Sequence, residues 1–201
     1  MAYVTLYPRR ISIRSMKSLA ALAGAVLALG AGAGTALAAA ENVQPSVWEH
    51  HQATTAWFGQ TTHYTCSGLE NTLRQILLYF GARSDLKVEA SCPDQIDPVR
   101  TAVVKTDFYS LKPAPTGAAD TISAQWVPVK LTPQSPSQAP FLGTSECELI
   151  FQFKDLLTKS FSFRNLNYQA SCFPHYVSLL DYYVHGQVLK TDAQLKSVAQ
   201  R

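Results

Sequence analysis

Closely spaced cysteines are missing from this 201-residue sequence. Its four cysteines, Cys66, Cys92, Cys147 and Cys172, include no C-x-x-C pair, which is the spacing that small zinc sites use. The chain also has no G-x-S-x-G, no glycine-rich phosphate loop and no H-E-x-x-H. The sequence therefore predicts no metal ligands, no cofactor and no catalytic residues.

An excess of one charge sign is also missing once the first 40 residues are set aside. The whole chain has 17 basic and 14 acidic residues, but four of the basic ones lie between Arg9 and Lys17. The remainder has 13 basic residues against 14 acidic ones, with no basic stretch that would suit nucleic acid or anionic lipid. We therefore expect no nucleic-acid partner.

A long apolar run occurs once, at 18–40, directly after those basic residues. A basic start, an apolar middle and an end rich in alanine are typical of a secretory signal peptide, with cleavage after Ala38 or Ala40. Either Met1 or Met16 could begin it. The alternative is an uncleaved membrane anchor, because the run is long enough to span a bilayer. We predict a signal peptide at 1–40 and a periplasmic or secreted protein, which touches a membrane only if the signal is kept.

Four cysteines in an exported chain indicate two disulfides, with three possible pairings. A helix of ~15 residues advances ~22 Å, and a returning strand of ~8 residues covers ~26 Å. Such a strand brings the chain back level with the start of the helix. This geometry favours the pairs Cys66–Cys92 and Cys147–Cys172.

Two stretches of the sequence are nearly the same, "DLKVEASC" at 85–92 and "NLNYQASC" at 165–172. Each follows a helical pattern, at 67–81 and 145–161, and each helix has a candidate capping box, Ser67 with Glu70 and Ser145 with Glu148. Apolar and polar residues then alternate, as in a strand with one face on the core. These features predict a tandem duplication of a strand–helix–strand–strand unit, with one disulfide per repeat.

The predicted organisation is a flexible leader at 41–53, repeat 1 at 54–111, a linker at 112–121, repeat 2 at 122–190 and a C-terminal tail at 191–201. The fold class is α+β, with a mostly antiparallel sheet and two helices packed on one face. We expect the repeats to form one domain, and two separate small domains are the alternative. Pro128 places its strand at an edge or a bulge.

The open face of that sheet is the first candidate binding surface. The two-residue period places there a mixture of charged and aromatic side chains, with Lys105, Asp107, Tyr109, Tyr183 and His185 as the main candidates. Such mixtures are typical of protein-recognition surfaces, although an ordinary solvated face is an equal alternative. The aromatic residues Trp57, Phe58 and Trp126 are expected in the core.

The loop at 133–144 is the second candidate, because the first repeat has almost no counterpart to it. Its prolines make it semi-rigid, and Phe141 and Leu142 form an apolar tip that could contact a partner. The alternative is that these two residues pack under the sheet and secure the second helix.

Three groups of residues could carry chemistry, and each has a simpler interpretation. "WEHH" at 48–51 could hold a metal, but adjacent side chains converge poorly, and a solvated leader is preferred. His175, Ser178 and Asp181 are the residue types of a triad, but on a strand Ser178 and Asp181 point to opposite faces. An unfamiliar enzyme site around Asp181, Tyr183 and His185 stays the least favoured hypothesis.

The preferred function is a non-enzymatic exported binding module whose partner is another envelope or secreted protein. A small-ligand binder or a structural accessory of the envelope is the alternative. The predicted layout, a tandem α+β repeat with one disulfide per copy, resembles that of the proteinaceous β-lactamase inhibitors. The resemblance implies recognition by an open sheet face, and it carries no residue of that family onto this chain.

Overall fold

The computed structural model describes residues 42–60, 64–93, 99–133, 146–172 and 181–199. The strands are β1 (Val43–Phe58), β2 (Lys87–Ser91), β3 (Thr101–Pro113), β4 (Ile122–Leu131), β5 (Phe163–Ser171) and β6 (Asp181–Lys190). The helices are α1 (Cys66–Tyr79), α2 (Cys147–Gln152), α3 (Lys154–Ser160) and α4 (Asp192–Ala199). Within these ranges no helix is both long and apolar enough to cross a membrane. The predicted signal peptide and the apolar loop tip at Phe141 and Leu142 lie outside the described residues.

The strands form one antiparallel sheet in the order β2-β3-β1-β4-β6-β5. This confirms the predicted α+β class. In the predicted repeats β4, β5 and β6 correspond to β1, β2 and β3. With that correspondence, the second half of the order, β4-β6-β5, is the first half, β2-β3-β1, in reverse. Two copies of one unit related by a two-fold axis would give that arrangement, and the duplication itself stays a prediction.

The two halves of the sheet meet along a short seam. β1 pairs with β4 only from Val43↔Gln125 to Ser46↔Ile122, whereas β1 pairs with β3 along almost its whole length. Beyond the seam β4 has β6 on one side, and on the other the hydroxyl of Tyr79 bonds to both the N–H and the carbonyl of Lys130, each at 3.0 Å. A strand without a partner on one side can accept a proline, so Pro128 lies at a local edge, as predicted.

The main core lies on the face of the sheet that the helices cover. α1 buries Leu69, Leu73, Ile76 and Leu77, which are the stripe expected from the helical period. α2 contacts both halves of the sheet, since the side chain of Gln152 bonds to the backbone of Phe58 in β1 and the hydroxyl of Tyr168 in β5 donates to the carbonyl of Ile150.

The predicted helix starts are wrong in detail. The N-cap of α1 is Thr65, whose hydroxyl accepts from the N–H of Gly68, and the carboxylate of Glu70 instead accepts from the N–H of Ala90 in β2 at 2.7 Å. The single helix predicted at 145–161 is divided at Phe153 into α2 and α3. Ser145 lies outside the described residues, and the carboxylate of Glu148 accepts from the N–H of Gln60.

The flexible leader predicted at 41–53 is wrong, because its residues from Val43 onward form most of β1. Repeat 1 was predicted to begin at residue 54, but the ladder of β1 with β3 extends back to Ser46. The tail predicted at 191–201 contains α4, and the side chain of Gln194 donates to the carbonyls of Gly81 and Ala82 at 2.9 and 3.1 Å.

Both disulfides have the predicted pairing. Cys66 is bonded to Cys92 across a separation of 26 residues, and Cys147 to Cys172 across 25. No free cysteine is present in the chain. Two disulfides fit a protein that folds in an oxidising environment outside the cytoplasm.

Gly81, which ends the α1 segment, is a position where glycine is required. Its φ is +100°, and a Cβ there would lie 2.8 Å from the carbonyl oxygen of Leu189. Gly117 has φ +83° and nothing within 4 Å of such a Cβ. Both Gly→Ala changes share the backbone cost of about 1–2 kcal/mol, and the clash should add about 1–3 kcal/mol at Gly81 alone. Urea unfolding of Gly81→Ala and Gly117→Ala measures the difference, and equal losses would contradict it.

Candidate functional site

The open face of β2, β3 and β1 carries most of the predicted binding residues. The register places Lys87, Asp107 and Gln52 in one row across the three strands, and Glu89, Lys105 and Thr54 in the next. We call this surface, from His50 and Tyr109 to Thr54, Lys105 and Glu89, the three-strand face. It has opposite charges on neighbouring strands, and these side chains are exposed or half-buried.

Asp107 organises the centre of the three-strand face. Its Oδ1 lies 2.8 Å from Nε2 of His50, and its Oδ2 accepts a hydrogen bond from the amide of Gln52 at 2.9 Å. The hydrogen bond with His50, and then that with Gln52, lower the pKa of Asp107, and the nearby charge of Lys87 acts in the same direction. These contacts hold three side chains from two strands in one arrangement.

Tyr109 lies between a histidine and an arginine. The ring of His50 stacks on it with centroids 4.7 Å apart, and the guanidinium of Arg83 lies 3.9 Å from its ring centroid. His50 lies on β1 and Arg83 on the segment before β2, so two different elements contact the ring of Tyr109. Asp85 holds Arg83 through two hydrogen bonds of 2.8 and 2.7 Å. The sequence alone gave no signal for Arg83.

A groove runs beside this stack. It has a volume of about 430 Å³, within the range of small-molecule sites, and its polar walls include Gln52, Thr54, Lys87, Glu89 and Lys105. Together with Asp107, which also lines the groove, these walls offer two ammonium groups, two carboxylates and uncharged hydrogen-bonding groups. The groove could therefore hold polar or charged parts of a ligand.

The remaining candidates, Tyr183 and His185, lie on β6 in the other half of the sheet, with ring centroids 5.9 Å apart. The register separates them from Tyr109, because β1 and β4 meet only at the seam. A second apolar cluster lies between the two sets on the open face, formed by Leu111, Ala124, Trp126 and Leu189. The structure therefore divides the predicted surface into two.

The three aromatic residues expected in the core have different positions. Trp57 is fully buried in the main core. Trp126 is buried in the open-face cluster, with the guanidinium of Arg164 at 4.2 Å from its ring. The prediction is wrong for Phe58, which is 54% exposed. Neighbouring residues on a strand point to opposite faces, so burial of Trp57 places Phe58 outside.

Glu49 and His51 are not in a solvated leader, which corrects the interpretation of "WEHH". Their side chains are on the helix side of the sheet, where Glu49 pairs with Lys112. Nε2 of His51 lies 3.0 Å from the hydroxyl of Ser110 and 3.3 Å from the Glu49 carboxylate. This Glu–His–Ser group was not predicted, because it joins β1 to β3.

The Glu49–His51–Ser110 group lacks the geometry of a catalytic triad. The fully buried hydroxyl of Ser110 donates to the carbonyl of Ser160, so Nε2 of His51 must be the donor toward Ser110. A base must have that nitrogen free to accept the serine proton, and the carboxylate must contact the other ring nitrogen. The group instead ties β1 and β3 to the end of α3.

Burial lowers the pKa of His51 below its ordinary value of 6.5, although Glu49 raises it and Lys112 and His50 lower it further. The unfolded chain therefore binds a proton at a pH where the native protein does not. The free energy of unfolding should fall as the pH drops below about 6.5 and the unfolded state is protonated. Urea unfolding between pH 7.5 and 5 should show a smaller fall for His51→Gln.

The matched control for this pH series is His185→Gln, at an exposed side chain in the other half of the sheet. It should keep the wild-type dependence on pH. A wild-type slope in His51→Gln would contradict the assignment to His51.

Burial also shifts the pKa values of residues that pack under the sheet. Burial raises the pKa of Tyr168 and raises that of Tyr182 to about 12, and it lowers the pKa of Lys190 to about 8. The first two lie on β5 and β6, and Lys190 ends β6 with its ammonium 5.1 Å from the ring of Tyr79. These shifts follow from packing under the sheet rather than from a shared cleft.

The remaining predicted sites give little further information. His175 and Ser178 lie outside the described residues. Within the described ranges, no three His, Cys, Asp or Glu side chains are grouped so that they could hold a metal ion. Comparison of the chain with protein-family models, with curated proteins and with solved structures found no match.

Proposed function

We propose that this chain is a non-enzymatic binding module, periplasmic or secreted, that recognises another protein through the three-strand face. The observation that carries the proposal is the ordered layer of His50, Tyr109 and Arg83 beside Asp107. Tyrosine and arginine are the residue types that contribute most to binding energy at protein interfaces. In the free protein, Tyr109 and Arg83 are already held by contacts with neighbouring side chains.

Order in the free protein favours binding, because immobilising a flexible side chain on association costs about 0.5–1.5 kcal/mol. Arg83 is already held by Asp85, and His50 by Asp107. The alternating charges of Lys87, Glu89 and Lys105 next to this layer could define the orientation of a partner. The disulfides support a site of action outside the cytoplasm.

A small polar ligand is the second candidate, and the groove of about 430 Å³ beside Asp107 favours it. A zwitterion could place its anionic group by Lys87 or Lys105 and its cationic group by Glu89. Such a ligand would raise the thermal midpoint of the purified protein without any protein partner.

Site-specific photo-crosslinking tests the main proposal. A photo-reactive residue at Thr54, on the three-strand face, should capture a protein from the envelope fraction of the chain's own cells. The same residue at Lys159, on α3, is the position control and should capture none. Lys105→Glu should weaken capture at Thr54, while Lys159→Glu makes the same charge change away from the face and should not.

Tyr109→Phe tests whether the tyrosine hydroxyl contributes to capture, without disturbing the packing of the ring. It keeps the ring between His50 and Arg83 and removes only the hydroxyl group. Alanine at this position would also remove the stacking, so its effect on capture would be ambiguous. Capture that is equal at Thr54 and Lys159, or that ignores Lys105→Glu, would contradict protein recognition by this face.

A further inference from the structure

Helix α4, which follows the last strand, is bonded to the segment that carries Arg83. The amide nitrogen of Gln194 donates to the carbonyls of Gly81 and Ala82 at 2.9 and 3.1 Å, so both of its hydrogens are used. Arg83 is the next residue in the chain, and its guanidinium lies 3.9 Å from the ring centroid of Tyr109. The second half of the molecule thus holds the first half immediately before this arginine.

The oxygen of the same amide has a different contact. It accepts from the N–H of Thr191 at 2.9 Å, while the hydroxyl of Thr191 accepts from the N–H of Gln194 at 3.3 Å. This reciprocal pair is a capping box, which satisfies two N–H groups at the start of a helix. Because the oxygen is held on α4, the nitrogen has a fixed position from which to donate.

The two carbonyls belong to the turn that ends α1. Gly81 and Ala82 are buried, and their N–H groups donate to the carbonyls of Leu78 and Leu77 at 3.1 and 2.9 Å. With Gly81 at φ +100°, this is a Schellman turn. A buried carbonyl that loses its donor costs free energy. Loss of the Gln194 nitrogen should therefore displace the turn until water or another donor reaches it.

Arg83 lies between this turn and a second anchor. Its N–H donates to the carbonyl of Tyr109 at 2.9 Å. The guanidinium of Arg74 in α1 donates to the carbonyls of Ser84 and Leu86 at 3.4 and 2.9 Å. The bonds from Arg74 lie after Arg83 in the chain, and those from α4 lie before it. The turn that α4 holds is therefore one of the supports that place the guanidinium on the ring.

We propose that Gln194 is a positioning residue of the binding site, which holds Arg83 on Tyr109 through the turn after α1. Gln194 acts through the backbone of Gly81 and Ala82 and not by contact with the partner. This inference rests on the proposed binding function, and it adds α4 as a segment on which partner affinity depends. A chain without α4 should keep every residue of the three-strand face and still bind its partner more weakly.

Gln194→Glu tests the proposal, because glutamate keeps the oxygen that caps α4 and lacks both N–H donors. Gln194→Met removes the donors without adding a charge. Ala193→Glu is the matched control, since it adds the same carboxylate at the neighbouring, exposed position. All are made as full chains in an exporting host, with both disulfides formed, and urea unfolding shows which variants fold.

The first readout is the NMR signal of the Arg83 side chain. The ring current of Tyr109 shifts protons that lie over the ring, and Arg83→Lys identifies the signal by its loss. Both Gln194 variants should move the signal toward that of a free arginine, and Ala193→Glu should leave it in place. If Gln194 only stabilised the fold, the urea midpoint would fall and the signal of the folded protein would not move.

The second readout is capture by the photo-reactive residue at Thr54. The protein concentration for half-maximal capture should rise about twofold to tenfold in both Gln194 variants, because one more long side chain must be ordered on binding. Ala193→Glu should capture its partner as wild type does.

Several results would overturn the inference. The Arg83 signal of the Gln194 variants could match wild type, or it could move while capture stays unchanged. Ala193→Glu could weaken capture as strongly as Gln194→Glu, which would assign the effect to charge. If neither Gln194 variant folds, the residue is structural and the inference is wrong. If wild type captures no more at Thr54 than at Lys159, the proposed function fails and the inference with it, even where the Arg83 signal shows that α4 holds the arginine.

Discussion

Replacing Phe80 with alanine is expected to lower the free energy of unfolding by about 3–5 kcal/mol, the range for loss of a buried phenylalanine. Phe80 is fully buried directly after α1. Its ring contacts those of Phe161 and Phe163 at centroid distances of 5.8 and 5.7 Å, and Phe161 stacks on Phe108 of β3. The change would open a cavity where residues from both halves of the molecule meet. Equilibrium unfolding in urea measures the loss.

Phe151→Ala is the matched control, because it removes the same atoms from a side chain that is 55% exposed. It should change stability by less than about 0.5 kcal/mol, as surface substitutions usually do. A loss below about 1 kcal/mol for Phe80→Ala would contradict a single core shared by the two halves.

Removing either disulfide is expected to cost about 3 kcal/mol in the chain-entropy picture. The closed loops span 26 and 25 residues, so the two losses should be nearly equal. The variants are Cys66→Ala/Cys92→Ala and Cys147→Ala/Cys172→Ala. Alanine is preferred to serine because Cys147 is fully buried, and a hydroxyl there would need a hydrogen-bond partner. Urea unfolding of both double variants under non-reducing conditions measures the losses.

Reduction of the wild-type protein provides the reference, since it opens both loops at once. The loss on reduction should approach the sum of the losses in the two double variants. A double variant as stable as wild type would show that its disulfide adds little constraint to the unfolded chain.

Part of the candidate site could be predicted from the sequence. Strand alternation correctly assigned Lys105, Asp107 and Tyr109 to one face, because side-chain direction on a strand depends only on position. The partners of Tyr109 could not be found in this way. His50 was assigned to a leader, and Arg83 reaches Tyr109 from a loop that the two-residue period does not describe.

The exposure of Phe58 is a second feature that the sequence analysis did not predict. The period of two places Trp57 and Phe58 on opposite faces, so both could not enter one core. Composition favoured burial of both, since large aromatic residues are usually inside. The structure buries Trp57 and leaves Phe58 beside Gln152 of α2, a contact across 94 residues.

The sequence by itself determined the α+β class, the inward and outward residues of β2 and β5, and the pairing of the cysteines. These features depend on local periodicity and on the distance that a helix and a returning strand cover, and both can be read over about 25 residues. Only the tertiary structure decided that β1 meets β4 over four residue pairs. That short seam separates Tyr109 from Tyr183, and the side chain of Gln152 in α2 bonds to the backbone of Phe58 in β1. Both depend on how distant segments pack, which local patterns do not encode.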